Sequence, residues 1–93
     1  MVLTPGKVSE SLFWLLVELS PLRSEKVILA LKGFLVLGYT RREVCDEYKV
    51  SYGYFSVALR RIRHVSDVIG ELVRNHDYFF NDIKAVSVIN PKH

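Results

Sequence analysis

Two residues suited to capping a helix, Thr40 and Ser51, leave room between them for only one short helix, and Ser51 is followed by a far longer apolar series. Thr40 and Glu43 have the spacing of a capping box, in which the hydroxyl accepts from the third helical amide and the carboxylate accepts from the cap's own amide. A helix therefore starts at Arg41. Its apolar positions Val44, Cys45 and Tyr48 are followed at once by Lys49-Val50-Ser51, so it stops there. Beyond Ser51, the residues Phe55, Ala58, Leu59, Ile62, Val65, Ile69, Leu72 and Val73 recur at helical spacing and predict one long helix from about Tyr52 to Arg74. Two helices joined so tightly cross steeply, and small or medium apolar residues must fill the angle between them. Cys45, Val50, Phe55, Ala58 and Leu59 stand where that wedge is needed, which predicts a helix-turn-helix.

Two residues sit badly in that scheme. Lys49 occupies the turn, where many such motifs use glycine because a positive φ is demanded. A lysine in a truly left-handed conformation costs about 1–2 kcal/mol, which points to a variant turn. Gly70 costs about 1 kcal/mol relative to alanine and marks where the long helix would break.

The rest of the chain reads as helix as well. Residues 1–8 contain Pro5-Gly6 and no periodicity, which predicts a loose leader. Ser9 caps a helix running to about Leu19, ended by Pro21. Its apolar residues Leu12, Phe13, Trp14, Leu15, Leu16, Val17 and Leu19 cover most of the circumference, so it needs two partners. It is either a central core helix or one that packs internally on one side and meets a second subunit on the other. Ser24 begins another helix to about Leu37, with Val27, Ile28, Leu31, Phe34 and Leu35 on one side and Gly38 as its stop. Residues 76–93 carry no assignable pattern. The prediction is a single all-α domain over residues 1–93, with four to five helices.

A chain of 93 residues buries roughly two-thirds of its unfolded surface, enough for one modest core. Its formal charge of +3 is unevenly placed. From Thr40 to Val65 the cations Arg41, Arg42, Lys49, Arg60, Arg61 and Arg63 face only Glu43, Asp46 and Glu47, while the remaining sequence sums to zero. The single cysteine forbids an internal disulfide, and no metal-ligand spacing occurs, which suits a reducing cytoplasm. The apolar run Leu12–Val17 is far short of the roughly 18 residues of a membrane span, and no signal-peptide cleavage site follows it. No triad, carboxylate pair or glycine-rich phosphate loop is present, so no catalytic residue, cofactor or metal is expected.

The wedge fixes which side of the long helix is left bare. That side carries Ser51, Tyr52, Gly53, Ser56, Val57, Arg60 and Arg61, and no acid occurs from Lys49 through Ser66. Ser51, Tyr52 and Ser56 lie at the N-terminal end, which recognition helices insert first towards base edges. Gly53 lets backbone come close, and the helix N-terminus favours an anionic oxygen. Arg60, Arg61 and Arg63 suit phosphates, as do Arg41 and Arg42 at the start of the preceding helix and Lys49 in the turn. Tyr54 is expected in the core, Tyr52 is divided between core and surface, Cys45 is a small buried hydrophobe and His64 a solvent-exposed bystander.

At this window the chain resembles the PapB family of fimbrial (adhesin biosynthesis) transcriptional regulators of enteric bacteria. The resemblance is carried by Arg42-Glu-Val-Cys45, Tyr48, Gly53-Tyr-Phe-Ser56, Leu59 and Arg61, and extends back through Ser24–Lys32 and Phe13–Leu16. It implies a cytoplasmic, nucleoid-associated regulator of a pilus or adhesin operon that binds double-stranded DNA as a dimer or larger oligomer along repeated AT-rich sites. It also implies minor-groove contacts, whereas the bare helix suits the major groove, and both stand at this point. The alternative is a protein-interaction module that uses the same helical frame to bind a transcription partner, supported by the over-apolar helix from Ser9 to Leu19.

Overall fold

In a computed structural model, which describes residues 2–76, the regular secondary structure of the described residues is all helical: α1 (Glu10–Leu19), α2 (Glu25–Leu35), α3 (Arg41–Tyr48) and α4 (Tyr52–Arg74). The unassigned segment beyond residue 76 lies outside the described residues. Each expected cap residue precedes its helix. Ser9 Oγ accepts from Leu12 N at 3.2 Å, Ser51 Oγ accepts from Tyr54 N at 3.2 Å, and both halves of the Thr40–Glu43 box form, at 3.1 and 2.8 Å. Ser24 starts α2 without a side-chain cap bond.

Helix α2 is the centre of the bundle, packing on α1, α3 and α4. Its buried residues Val27, Ala30, Leu31 and Leu35 meet Phe13 and Leu16 of α1, Val44 and Cys45 of α3, and Phe55, Ala58, Leu59 and Ile62 of α4 in one core. Gly33 permits the close approach of α2 and α3, since a Cβ built on it would stand 2.7 Å from Val44 Cγ1. Beyond Ile62, α4 continues unbroken through Gly70, with Val65 and Ile69 half-buried.

Two expectations change. The leader is not loose: Leu3 and Val8 are both buried. The reason lies at the end of α2, which stops at Leu35 instead of Leu37 and leaves four carbonyls to satisfy. Val36 N donates to Lys32 O at 2.9 Å and Tyr39 N to Gly33 O at 2.9 Å, while the leader supplies Gly6 N to Phe34 O and Val8 N to Leu35 O, each at 3.1 Å. Gly6 (φ 74°) and Gly38 (φ 81°) touch where the leader crosses, and a Cβ on Gly6 would come within 3.1 Å of Gly38 Cα.

Helix α1 is not a central core helix. Only Phe13 and Leu16 of its residues are buried, because α2 and α4 cover just one side of it. Trp14, Leu15 and Leu19 remain 41 %, 56 % and 64 % exposed. Trp14 is edged against Phe13 and donates its Nε1–H to Glu10, which also pairs with Lys32 at 3.1 Å. Those contacts hold Glu10 below the usual carboxylate range, Lys32 contributing most.

Candidate nucleic-acid interface

Helices α3 and α4 are joined by three residues, Lys49, Val50 and Ser51. The wedge forms as the spacing requires: Cys45, Val50, Phe55, Ala58 and Leu59 are all buried. Burial also raises the Cys45 thiol above its usual value, so it stays a neutral packing group. The turn is no variant. Lys49 sits at φ 58°, ψ 47°, the left-handed conformation, and donates its amide to Cys45 O, as Val50 does at 3.0 Å. The strain expected of a lysine there is present because the two amides must both reach that carbonyl before the chain can turn into α4.

Of the six cations between Thr40 and Val65, five are exposed: Arg42, Lys49, Arg60, Arg61 and Arg63. Arg41 is placed differently. Its Nη1 donates to Ser56 Oγ at 3.0 Å, and its guanidinium lies 5.8 Å from the Phe34 ring centre and 5.5 Å from that of Phe55. The two rings meet edge to face at 5.5 Å. Arg41 thus ties α2, α3 and α4 together and orients the start of α4. This role had no signal in the sequence, because Phe34, Arg41 and Ser56 belong to three different helices.

The same contact alters the reading of the residues facing outward. Ser56 is half-buried with its hydroxyl accepting from Arg41, and the Ser51 hydroxyl accepts the cap bond from Tyr54 N. Tyr52 is 49 % exposed, and Gly53 and Val57 are exposed beside it. Tyr54, expected in the core, is instead 55 % exposed. Phe55, Ala58, Leu59 and Ile62 fill the inward arc of α4, and one residue back along a helix is a rotation of about 100°. That register could have placed Tyr54 at the edge of the outward side. His64 is exposed, as expected.

Electrostatically, this side is one-signed. No acid falls between Lys49 and Ser66; on α3, Glu43 accepts from the Thr40 amide, while Asp46 and Glu47 are exposed. Glu43 is held below the usual carboxylate range, chiefly by the Thr40 backbone amide it accepts from. Among the described residues no group of His, Cys, Asp and Glu could hold a metal ion, and no helix is long and apolar enough to cross a membrane.

The family model for the adhesin biosynthesis transcription regulatory protein PapB matches residues 1–79. The chain belongs to the PapB family. Its relatives include the AFA-III adhesin operon regulatory protein of Escherichia coli, 53 % identical over 72 residues, covering 77 % of this chain and 71 % of that protein. The major pilus subunit operon regulatory protein PapB of Escherichia coli is 44 % identical over 71 residues, covering 76 % and 68 %. In three dimensions the chain is similar to the crystal structure of Escherichia coli FocB, with a TM-score of 0.73 and 39 % identity over 77 % of this chain and 82 % of the other. PapB-family membership makes this chain a transcription regulator of the adhesin and fimbrial type, and not an enzyme.

Proposed function

We propose that this regulator binds double-stranded DNA through the outward side of α4, using α3, the Lys49 turn and α4 as a helix-turn-helix, and that it does so as an oligomer at an adhesin or fimbrial operon. The observation that carries the reading is the set of five exposed cations, four of which (Lys49, Arg60, Arg61 and Arg63) lie in the stretch from Lys49 to Ser66 that holds no acid. Long-range attraction to phosphate needs such a one-signed surface, and the cations set affinity more than sequence preference. Preference among sites then falls to Tyr52, Gly53 and Ser51 at the N-terminal end of α4, with Arg60, Arg61, Arg63, Arg42 and Lys49 on phosphates. Arg41 and Ser56 act by holding α4 at its angle. Repeated AT-rich sites in the bacterial cytoplasm are the expected targets.

The oligomer is supported by α1. Trp14, Leu15 and Leu19 form an exposed apolar strip on a helix whose other side is already packed, which suits a second copy of the chain. The same strip favours the second reading, a module that binds a partner protein without touching DNA.

Five phosphate contacts give a log–log salt slope near −4.5, on the scale of about −0.9 per phosphate. In fluorescence anisotropy titrations, replacing Arg60 and Arg61 together with alanine should weaken binding to every sequence and bring the slope to about −2.7. Unchanged binding by that double variant removes the proposed surface. Sedimentation that shows self-association without DNA uptake selects the second reading.

A further inference from the structure

Beside the first turns of α4 lies a groove of about 510 Å³, walled on its other side by the loop from Pro21 to Ser24. Leu22, Val27 and Val57 give it an apolar lining, Arg23 stands on the loop wall and Arg61 on the α4 wall, and none of its described lining residues is acidic. Gly53 opens onto the groove, and none of the described residues crowds it. Its φ is not positive, and a Cβ built there would meet no atom within 4 Å. The missing side chain leaves that wall of the groove open to a group approaching from outside.

We infer that this groove receives one sugar-phosphate strand of DNA, with the Arg23 and Arg61 guanidiniums on phosphates of that strand and its deoxyribose against Leu22 and Val57. The inference rests on the DNA-binding reading above and extends it to a loop outside the helix-turn-helix. Charge decides the occupant: one cation on each wall and no anion fits a chain of repeating negative charges passing through, whereas a single small acid satisfies one guanidinium. Arg23 is also pre-positioned. Its Nη1 donates to the carbonyls of Leu22 at 3.0 Å and Ser20 at 3.4 Å, which holds the side chain on the loop and leaves Nη2 and Nε for a phosphate. Because α4 already carries Arg60 and Arg61 on its outward side, a strand in the groove is continuous with the surface proposed for the rest of the duplex.

The test uses the full chain and an AT-rich duplex in salt-dependent anisotropy titrations. Arg23→Ala should weaken binding and reduce the magnitude of the salt slope by about 0.9, the value for one phosphate. Lys7→Ala removes an exposed cation of the leader, outside the groove, and should leave the slope unchanged. Ethylation interference should reveal a phosphate whose modification blocks the wild-type chain and not Arg23→Ala. Gly53→Leu should lower affinity at least tenfold while its thermal midpoint stays at or above the wild-type value. An Arg23→Ala slope equal to wild type, an equal loss from Lys7→Ala, or a Gly53→Leu chain that binds normally overturns the inference. So does binding of benzoate or octanoate at Leu22 and Val57 by NMR when Arg23→Ala leaves the DNA slope intact, which makes the groove a small-molecule site. Loss of binding in the Arg60 and Arg61 double variant alongside a neutral Arg23→Ala leaves the broader reading standing and removes only this one.

Discussion

Replacing Lys49 with glycine should make the protein more stable. Lys49 holds φ 58° and ψ 47°, where its Cβ crowds the following carbonyl, a cost of about 1–2 kcal/mol that glycine does not bear. Glycine also loosens the unfolded chain, which returns roughly 0.4–1 kcal/mol of that gain. The net stabilisation is about 0.5–1 kcal/mol, and for a domain of this size the midpoint of thermal unfolding rises by roughly 2–8 °C. Lys49→Ala is the necessary companion, because it removes the same charge and stem while keeping the Cβ, so it should gain nothing. Lys49→Val, with a branched Cβ in the same conformation, should fall below wild type. Circular dichroism melts of the four proteins give the order directly. Glycine no more stable than alanine would refute the claim that the turn is strained at this residue. In DNA titrations, by contrast, the glycine and alanine variants should lose the same increment of about 0.9 in salt slope, since both lack the ammonium group.

Three further outcomes follow from single contacts. Arg41→Met should destabilise by about 1–2 kcal/mol in urea unfolding, through loss of the bond to Ser56 and of the two ring contacts, and a neutral result would mean that Arg41 does not tie the helices together. Gly33→Ala should destabilise by about 1 kcal/mol or more despite its better helix propensity, because the added Cβ runs into Val44 Cγ1, a branched and buried neighbour; a stabler variant would show that Val44 can turn aside. The carboxyls of Glu10, Glu43 and Glu71 are all held below their ordinary values, by Lys32, by the Thr40 amide and by Arg74 respectively. A depressed carboxyl contributes in full above its unfolded pKa of about 4.3 and loses that contribution as pH falls through the lower folded value. Melting temperature should therefore drop on acidification from about pH 5 to pH 3, and Glu43→Gln should flatten part of that drop.

The secondary structure was legible because it depends on neighbours in sequence. Ser9, Thr40 and Ser51 announced three helix starts, and the register of Phe55, Ala58, Leu59 and Ile62 announced the inward side of α4. Which cations are exposed was legible for the same reason, with one exception. Arg41 looked like its neighbour Arg42, and only the approach of Phe34 and Phe55 drew it inward. Tyr54 lies outward, as the register of Phe55, Ala58, Leu59 and Ile62 allows, although its aromatic ring suggests core. The leader was misjudged because its partners, the carbonyls of Phe34 and Leu35, are backbone atoms with no signature in the side chains.

The chain by itself therefore decided where helices begin, which arc of each is apolar and where positive charge collects, since all three are set by residues within a turn or two of one another. Packing decided the capture of Arg41, the docking of the leader and the groove between Arg23 and Arg61. Each of those requires groups far apart in sequence to meet at a few ångströms, and that distance is fixed only when α2 gathers the other three helices around itself.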